Sequence, residues 1–174
     1  MDSTLVPRCI GTVARATLWH ERLRELFGTT GVTLVPVPGS APTTDAPWPA
    51  LILALALRDL GLGARVWIGL RRVSPVRKSA TAPARERPTV RQHYESFCVD
   101  TPLINHPRLV LVDDVITKGR TLLAAAARLQ SALPQADLRA FALVRTVGSG
   151  PIEHLLDVCQ GVVRWAGGDA RREP

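Results

Sequence analysis

The stretch that decides the fold of this chain is Leu109-Val110-Leu111-Val112-Asp113-Asp114-Val115-Ile116-Thr117-Lys118-Gly119-Arg120-Thr121. Its first four residues form a short, unbroken apolar run, which predicts a parallel strand buried on both faces. Two adjacent carboxylates and a turn follow, and the Ala- and Leu-rich residues 122–133 then predict a helix. Because open α/β sheets bind ligands at the C-terminal ends of their strands, this turn is the first candidate for a binding site.

The turn has three features that suit a sugar phosphate. Gly119 permits a left-handed backbone and a close approach to a ligand. Thr121 is predicted to cap the following helix, whose free N–H groups and positive dipole end attract an anion. Asp113 and Asp114 can hold hydroxyl groups or a magnesium ion beside that anion. The alternative is that the two carboxylates are ordinary turn and cap residues.

A similar pattern lies nearer the N-terminus. Residues 32–37 are apolar and β-branched, and they predict the first strand of the sheet. This strand ends at the turn Pro38-Gly39-Ser40, which is either a second ligand-binding loop or an ordinary turn. A helix is predicted over 47–60, with Asp45 as a candidate cap and Pro47 in its first turn, and a second strand over 64–70.

The remaining segments continue this alternation of strands and helices. It predicts a single α/β domain over residues 1–174, with a mainly parallel sheet flanked by helices. If the strands ending at residues 37 and 112 are neighbours, both turns line one crevice. The further predictions are helices at 13–27 and 151–156, strands at 96–99, 137–144 and 158–165, and a loose tail at 167–174.

The segment 71–93 has no apolar period and contains three prolines. A connection of this length without structure is either a functional lid or a disordered loop. Residues 71–91 include seven basic residues and one acid, a net charge of +6 within the chain's total of +7. This local excess favours a polyanionic ligand or nucleic acid over composition bias alone. The basic residues are Arg71, Arg72, Arg77, Lys78, Arg85, Arg87 and Arg91.

Several aromatic residues lie close to these segments. Trp48, Trp67 and Trp165 are predicted to belong to the core rather than to stack on a base. His93 and Tyr94 lie near the end of the basic segment and are predicted to anchor a loop. Nothing in the sequence selects either of them for contact with a ligand.

Composition excludes several classes of protein. A chain of 174 residues, 46% of them hydrophobic and 21% charged, is long enough to bury a hydrophobic core and has the composition of a globular domain. Cys9, Cys98 and Cys159 form no Cys-x-x-Cys pair, which argues against a zinc site or disulfide framework and favours a cytoplasmic location. The first residues lack a signal-peptide pattern. The longest apolar run, 49–57, is short of the roughly 20 residues that a membrane span needs.

Residues 109–121 resemble the phosphoribosyl-pyrophosphate (PRPP) motif of type I phosphoribosyltransferases. That motif has four apolar residues, two acids, two variable positions, Thr or Ser, a small residue, Gly, any residue, and Thr or Ser. Every position fits except Lys118, which is large and basic and either contacts phosphate or points to solvent. The resemblance implies a type I phosphoribosyltransferase-like fold, with a flexible basic lid loop at 71–95 and a small hood that includes residues 148–174.

The resemblance also implies roles for particular residues. Asp113 and Asp114 would contact the ribose 2′ and 3′ hydroxyls and hold Mg²⁺, largely through PRPP. The turn Pro38-Gly39-Ser40 would offer N–H groups to the pyrophosphate, and Arg77 and Lys78 would act as catalytic residues by neutralising the departing charge. The remaining PRPP-binding residues of the motif would be Val115, Ile116, Thr117, Lys118, Gly119, Arg120 and Thr121.

Within this family, residues 32–147 are loosely similar to the competence-associated ComF-like branch. The similar segments are Val-Pro-Val-Pro at 35–38, Leu-Arg-Arg-Val at 70–73 and Arg-Gln-His-Tyr-Glu-Ser-Phe at 91–97. The chain departs from that branch because it has no Cys-rich zinc ribbon, no Arg-Gly-Phe-Asn-Gln segment and no basic residue in the first turn. Because of these departures, the resemblance does not identify the acceptor, and it supports PRPP binding more strongly than it supports catalysis.

The sequence therefore favours a magnesium-dependent phosphoribosyltransferase that transfers the phosphoribosyl group of PRPP to an unidentified nitrogenous base. The alternative is a non-catalytic PRPP or nucleotide sensor linked to nucleic-acid handling, which the basic segment favours. A phosphatase or kinase is disfavoured because the chain has neither a P-loop nor an Asp-x-Asp signature. The family tends toward homodimers, and no membrane partner is expected.

Overall fold

The computed structural model describes residues 23–27, 31–77, 83, 86–100, 108–146 and 159–173. Residues 23–27 are helical, and eleven further elements follow them. In chain order these are β1 (Thr33–Pro36), α1 (Pro49–Asp59), β2 (Arg65–Val66), β3 (Leu70–Arg72), α2 (Val90–Ser96), β4 (Phe97–Val99), β5 (Arg108–Ile116), α3 (Arg120–Ala132), β6 (Asp137–Arg145), β7 (Val162–Ala166) and β8 (Asp169–Glu173).

The main sheet has four strands in the order β2-β1-β5-β6, and every pair in it is parallel. Helices cover both of its faces, so the predicted α/β class with a helix-flanked parallel sheet is confirmed. On one face Leu109 and Leu111 pack with residues of α3, and on the other Val110 packs with α1 and residues 23–27. Burial on both faces explains why β5 begins as an unbroken apolar run.

Strand β5 is longer than the sequence predicted. Pro36, the last residue of β1, pairs with Val112, whereas β5 continues to Ile116 alongside β6. Asp113 and Asp114 therefore lie on a strand and not in a turn. The edge of β5 that faces β1 is unpaired with β1 beyond Val112, and the space beside this step in the sheet is here called the crevice.

The second predicted strand, 64–70, was wrong as a single element. Only Arg65 and Val66 pair with β1, and Leu70 begins β3, which pairs antiparallel with β4 in a separate sheet. The predicted strand at 96–99 is confirmed as β4. The chain therefore leaves the main sheet after β2 and forms a small β3–β4 ribbon.

The prediction of a structureless segment over 71–93 was also wrong in part. Arg71 and Arg72 belong to β3, and α2 begins at Val90. The Thr89 side chain accepts a hydrogen bond from the Gln92 N–H, and the Gln92 side chain accepts one from the Thr89 N–H. This reciprocal capping box stabilises the first turn of α2. Residues 78–82, 84 and 85 lie outside the described residues.

Two predicted helix caps were wrong. Helix α1 begins at Pro49, not Pro47, and its N-cap is Trp48 rather than Asp45. A proline disfavours the helical conformation of the residue before it, so Pro49 holds Trp48 extended and sets the start of the helix. Helix α3 is preceded by Gly119 in a left-handed conformation (φ 84°), so Thr121 is its second residue and not its cap.

The C-terminal residues form an antiparallel β7–β8 hairpin, which corrects the prediction of a loose tail. Gly167 and Gly168 both have positive φ, as a tight two-residue hairpin turn requires. Trp165 in β7 is 57% exposed, so its prediction as a core residue was wrong, whereas Trp48 and Trp67 are partly buried. The predicted helix at 151–156 and residues 13–22 of the first predicted helix lie outside the described residues.

Within the described ranges, no helix has the length and apolar character needed to cross a membrane.

Candidate functional site

The two strand-end turns singled out from the sequence lie side by side. β1 and β5 are neighbours, and the Val37 N–H donates to the Val112 carbonyl at 2.9 Å, just before the chain reaches both turns. Pro38-Gly39-Ser40 and the acidic pair Asp113–Asp114 therefore flank the step where β5 extends past β1. The structure brings these two groups of predicted site residues to one crevice, as expected.

In the first turn, the carbonyl groups of Gly39 and Ser40 accept hydrogen bonds from the protein itself. Pro38 has no N–H, so the backbone donors that the turn can offer a ligand are those of Gly39 and Ser40, which suit an anion. Gly39 is exposed, and a Cβ there would meet nothing within 4 Å. The carbonyl bonds run from Trp48 Nε1 to Val37 O at 2.9 Å, from Arg72 Nε to Gly39 O, and from the Val76 N–H to Ser40 O at 2.8 Å.

The acidic pair consists of one strongly perturbed carboxyl and its neighbour. Burial, followed by the hydrogen bond and negative charge of the Asp114 side chain, raises the pKa of Asp113 from 3.8 to about 8, against the lowering effects of the Asp114 N–H and the charge of Arg72. The Asp114 N–H donates to Asp113 Oδ1 at 3.0 Å. Asp113 is therefore largely protonated at neutral pH in the empty site. A cation or hydroxyl donor brought by a ligand would favour its ionised form.

The loop after the acidic pair leads into the N-terminus of α3. Thr117 and Lys118 are exposed, and Gly119 is buried against the hairpin, where a Cβ would lie 2.7 Å from Val163 Cγ1. Its φ of 84° and this contact both require glycine. The first N–H groups of the 13-residue helix α3 and its positive dipole end lie at this loop, where they favour an anion.

Behind the crevice is a buried cation that sequence reasoning missed. Arg72 is only 2% exposed, and its guanidinium binds Gly39 O and Ser96 Oγ and lies 4.2 Å from the Phe97 ring centroid. Burial lowers the pKa of Arg72 to about 10, so it stays charged at neutral pH. The first turn thus rests on a fixed positive charge, which also acts on Asp113.

His93 links this cation to Thr121 in the first turn of α3. Its Nδ1 lies 3.4 Å from Arg72 Nη2, and its Nε2 lies 3.5 Å from Thr121 Oγ1. Burial, followed by the charges of Arg72 and Arg120, lowers the pKa of His93 to about 4, so the ring is neutral at pH 7. Because arginine can only donate, Nδ1 accepts, and the proton of the ring is on Nε2, facing Thr121. His93 is a buried helix residue and not a loop anchor.

Two sequence signals could have found these residues. Leu70 and Arg72 are two positions apart, and in a strand that spacing places both on one face, so the buried Leu70 implies a buried Arg72. The Thr89-x-x-Gln92 pattern is a capping-box signature, and a helix starting there carries His93 on its first turns. Treating 71–93 as one structureless segment hid both signals.

Lys118 and Arg120, the two basic residues of the loop, hold the C-terminal hairpin. Arg120 binds both carboxylate oxygens of Asp169, from Nε at 2.5 Å and from Nη2 at 2.6 Å. Lys118 Nζ lies 3.3 Å from Asp169 Oδ2, so this residue has a protein partner and does not simply point to solvent. Arg120, through its hydrogen bond to the side chain, holds the pKa of Asp169 well below its usual range.

The predicted lid residues are only partly described. Arg77 is exposed and its guanidinium binds Glu86 Oε2, beside a cavity of about 300 Å³. Its neighbour Val76 is bound to Ser40 O, so the start of the basic segment runs along the first turn. Lys78 lies outside the described residues. The structure thus places Arg77 beside Val76, which contacts the first turn, but the guanidinium of Arg77 is paired with Glu86.

Among the residues described, no group of three or more His, Cys, Asp or Glu side chains is placed to hold a metal ion. Comparison with known proteins adds no relative, since no family model, no curated protein and no solved structure matches this chain.

Proposed function

We propose that this chain is a phosphoribosyltransferase of the type I class, which binds PRPP with Mg²⁺ and transfers its phosphoribosyl group to a nitrogenous base. The observation that carries the proposal is that the turn after β1, with the N–H groups of Gly39 and Ser40, adjoins the acidic pair on the last part of β5 and the loop that follows it. A sugar that carries phosphate at one end and pyrophosphate at the other needs both turns in one crevice.

Each part of PRPP has a matching part of the crevice. Asp113 and Asp114 accept hydrogen bonds from the ribose hydroxyls. The 5′-phosphate takes the loop 117–121 and the first N–H groups of α3, and the pyrophosphate takes the turn at 38–40. The exposed loop residues Thr117 and Lys118 lie open to the ligand, while Gly119 and Arg120 hold the shape of the loop.

The residues present fit a magnesium ion that arrives with its ligand. Mg²⁺ is commonly held by one or two carboxylates together with phosphate oxygens and water. Asp113 and Asp114 supply two carboxylates, and PRPP would supply the remaining oxygens. Bound in this way, the ion would neutralise charge on the leaving pyrophosphate.

The protein's own contribution to the reaction is positioning and charge. Positive charge builds on the ribose ring as pyrophosphate leaves, and the ionised acidic pair stabilises it. Arg72 fixes the turn that holds the pyrophosphate, through its bond to the Gly39 carbonyl. Arg77 and Lys78, at the start of the basic segment, neutralise the departing pyrophosphate once the segment closes.

A second candidate function is a PRPP or nucleotide sensor without turnover. It is favoured by the first turn, which has no basic side chain, and by the engagement of Arg77 with Glu86. In that case the same crevice binds PRPP, and the basic segment contacts nucleic acid. Pyrophosphate release with any base in a panel of purines, pyrimidines and simple amines separates the two functions, because a sensor releases none.

Calorimetric titration with PRPP and Mg²⁺ tests the site. The double variant Asp113→Asn with Asp114→Asn is expected to abolish binding, and undiminished binding would refute the assignment. Gly39→Ala is a sharper probe, because its Cβ meets nothing within 4 Å and the empty protein accommodates it. Its stability is expected to be unchanged while PRPP affinity falls, since the methyl group occupies the space where the pyrophosphate approaches.

A further inference from the structure

A second cavity, of about 430 Å³, lies between the loop after the acidic pair and the C-terminal hairpin. Thr117 and Lys118 line it from the loop, and Asp169, Arg171 and Arg172 line it from β8. It therefore adjoins the loop expected to hold the 5′-phosphate but is walled by a different element. A small molecule held there would sit against the bound sugar phosphate.

The charged residues of this cavity are mostly basic. Lys118, Arg171 and Arg172 face one acid, Asp169, so the lining carries a net charge of +2. The carboxylate of Asp169 is already bound at both oxygens by Arg120, from outside the lining. The cavity is thus electrostatically positive and suits an anion rather than a neutral base or a protonated amine.

The guanidinium of Arg172 uses only part of its hydrogen-bonding groups within the described protein. Its Nη2 donates to the Thr146 carbonyl at 2.9 Å. In the part of the chain that the structure describes, its Nη1 is buried and has no hydrogen-bond partner. Because Nη1 is buried, the charge of Arg172 acts on the cavity through space, where it adds to the charges of Lys118 and Arg171 and favours an anion.

We infer that the acceptor of the proposed transferase is a carboxylated nitrogen compound whose carboxylate binds Arg171 and Arg172 in this cavity. The inference rests on the proposed function and names its substrate class. In the reaction, the acceptor nitrogen uses its lone pair to form a bond to C1 of the ribose. The C1–O bond breaks, its electron pair leaves with pyrophosphate, and the nitrogen gives its N–H proton to solvent.

Matched pairs of acceptors that differ in a carboxylate test this inference. Orotate is paired with uracil and nicotinate with nicotinamide. Binding of each acceptor to the full chain is measured by calorimetry without PRPP, so that no transfer occurs, and pyrophosphate release is measured separately with PRPP and Mg²⁺. At least one carboxylated member is expected to bind about tenfold or more tightly than its neutral partner and to give faster pyrophosphate release.

The double variant Arg171→Gln with Arg172→Gln is expected to remove that preference and leave PRPP affinity unchanged. Arg164→Gln is the matched control, because Arg164 lies on the same hairpin, pairs with Glu173 at 3.3 Å and does not line the cavity. The control variant is expected to keep the preference. Equal affinity within both pairs, or no binding of any member, would overturn the inference.

Two further outcomes separate this inference from the proposed function. If the Arg171/Arg172 double variant weakens PRPP itself, the cavity holds the sugar phosphate, and the acceptor assignment is overturned while the PRPP site stands. If the unmodified protein fails to bind PRPP, the proposed function is overturned. A carboxylate preference that is lost in the double variant would then still support the cavity as an anion site.

Discussion

Replacing Asp113 by asparagine should make the empty protein more stable at alkaline pH relative to the unmodified protein. The structure holds this carboxyl in a buried position, where its pKa is raised from 3.8 to about 8. The folded state therefore binds a proton that the unfolded state releases. The contribution of Asp113 to stability falls as pH rises from 3.8 toward 8 and is constant above that, and asparagine removes this dependence.

The magnitude follows from the two pKa values. The raised pKa of Asp113 lowers the unfolding free energy by roughly 2 kcal/mol at pH 5 and by roughly 5 kcal/mol at pH 8. Lost contacts to the carboxyl shift the stability of the variant by the same amount at both pH values. The difference in unfolding free energy, variant minus unmodified, should therefore rise by roughly 3–4 kcal/mol between pH 5 and pH 8.

Urea unfolding at both pH values, followed by circular dichroism, measures this difference. Ser40→Ala is the control, because it alters the same crevice without removing a titratable group, and its difference from the unmodified protein should not change with pH. A change of less than about 1 kcal/mol for Asp113→Asn would mean that Asp113 ionises as freely in the folded state as in water. The account of a protonated carboxyl in the empty crevice would then be refuted.

Three other changes test the parts around the crevice. Between pH 7 and pH 4.5, the unfolding free energy of His93→Gln in urea should rise by roughly 2 kcal/mol relative to that of the unmodified protein, because the folded pKa of about 4 lies below the unfolded value of 6.5. Asp169→Asn should destabilise the hairpin by about 1–3 kcal/mol through the lost bonds to Arg120, seen as faster amide exchange in β7 and β8. Gly119→Ala should lower the unfolding free energy by about 2 kcal/mol or more, measured by urea unfolding, because of its positive φ and the contact with Val163.

Each of these has an outcome that contradicts it. A stability difference between His93→Gln and the unmodified protein that stays the same at pH 7 and pH 4.5 would mean that His93 protonates as readily in the folded state as in the unfolded state. Unchanged exchange in Asp169→Asn would mean that the hairpin is held by packing alone. Wild-type stability in Gly119→Ala would show that the loop can shift away from Val163 and adopt a negative φ.

The parallel sheet and the meeting of two turns were predictable because they depend on local patterns. An apolar run such as 109–112 can be buried only between two helical layers, and the ends of adjacent parallel strands meet at one edge. The small β3–β4 ribbon and the C-terminal hairpin were not predicted. Their strands are short and rich in arginine, so their pairing depends on tertiary contacts, such as the burial of Arg72 and the ion pair of Asp169, that leave no apolar period in the sequence.

The buried groups behind the crevice oppose one another in their response to pH. Between about pH 4 and 6.5, His93 makes the folded state more stable as pH rises, whereas Asp113 makes it less stable by a similar amount. Arg72 keeps its charge throughout, with a pKa of about 10. At pH 7 the empty site thus combines a neutral His93, a largely protonated Asp113 and a charged Arg72. The negative charge of Asp114 offsets the positive charge of Arg72, so the empty site does not repel an anion, and a ligand that brings its own cation can draw the proton from Asp113.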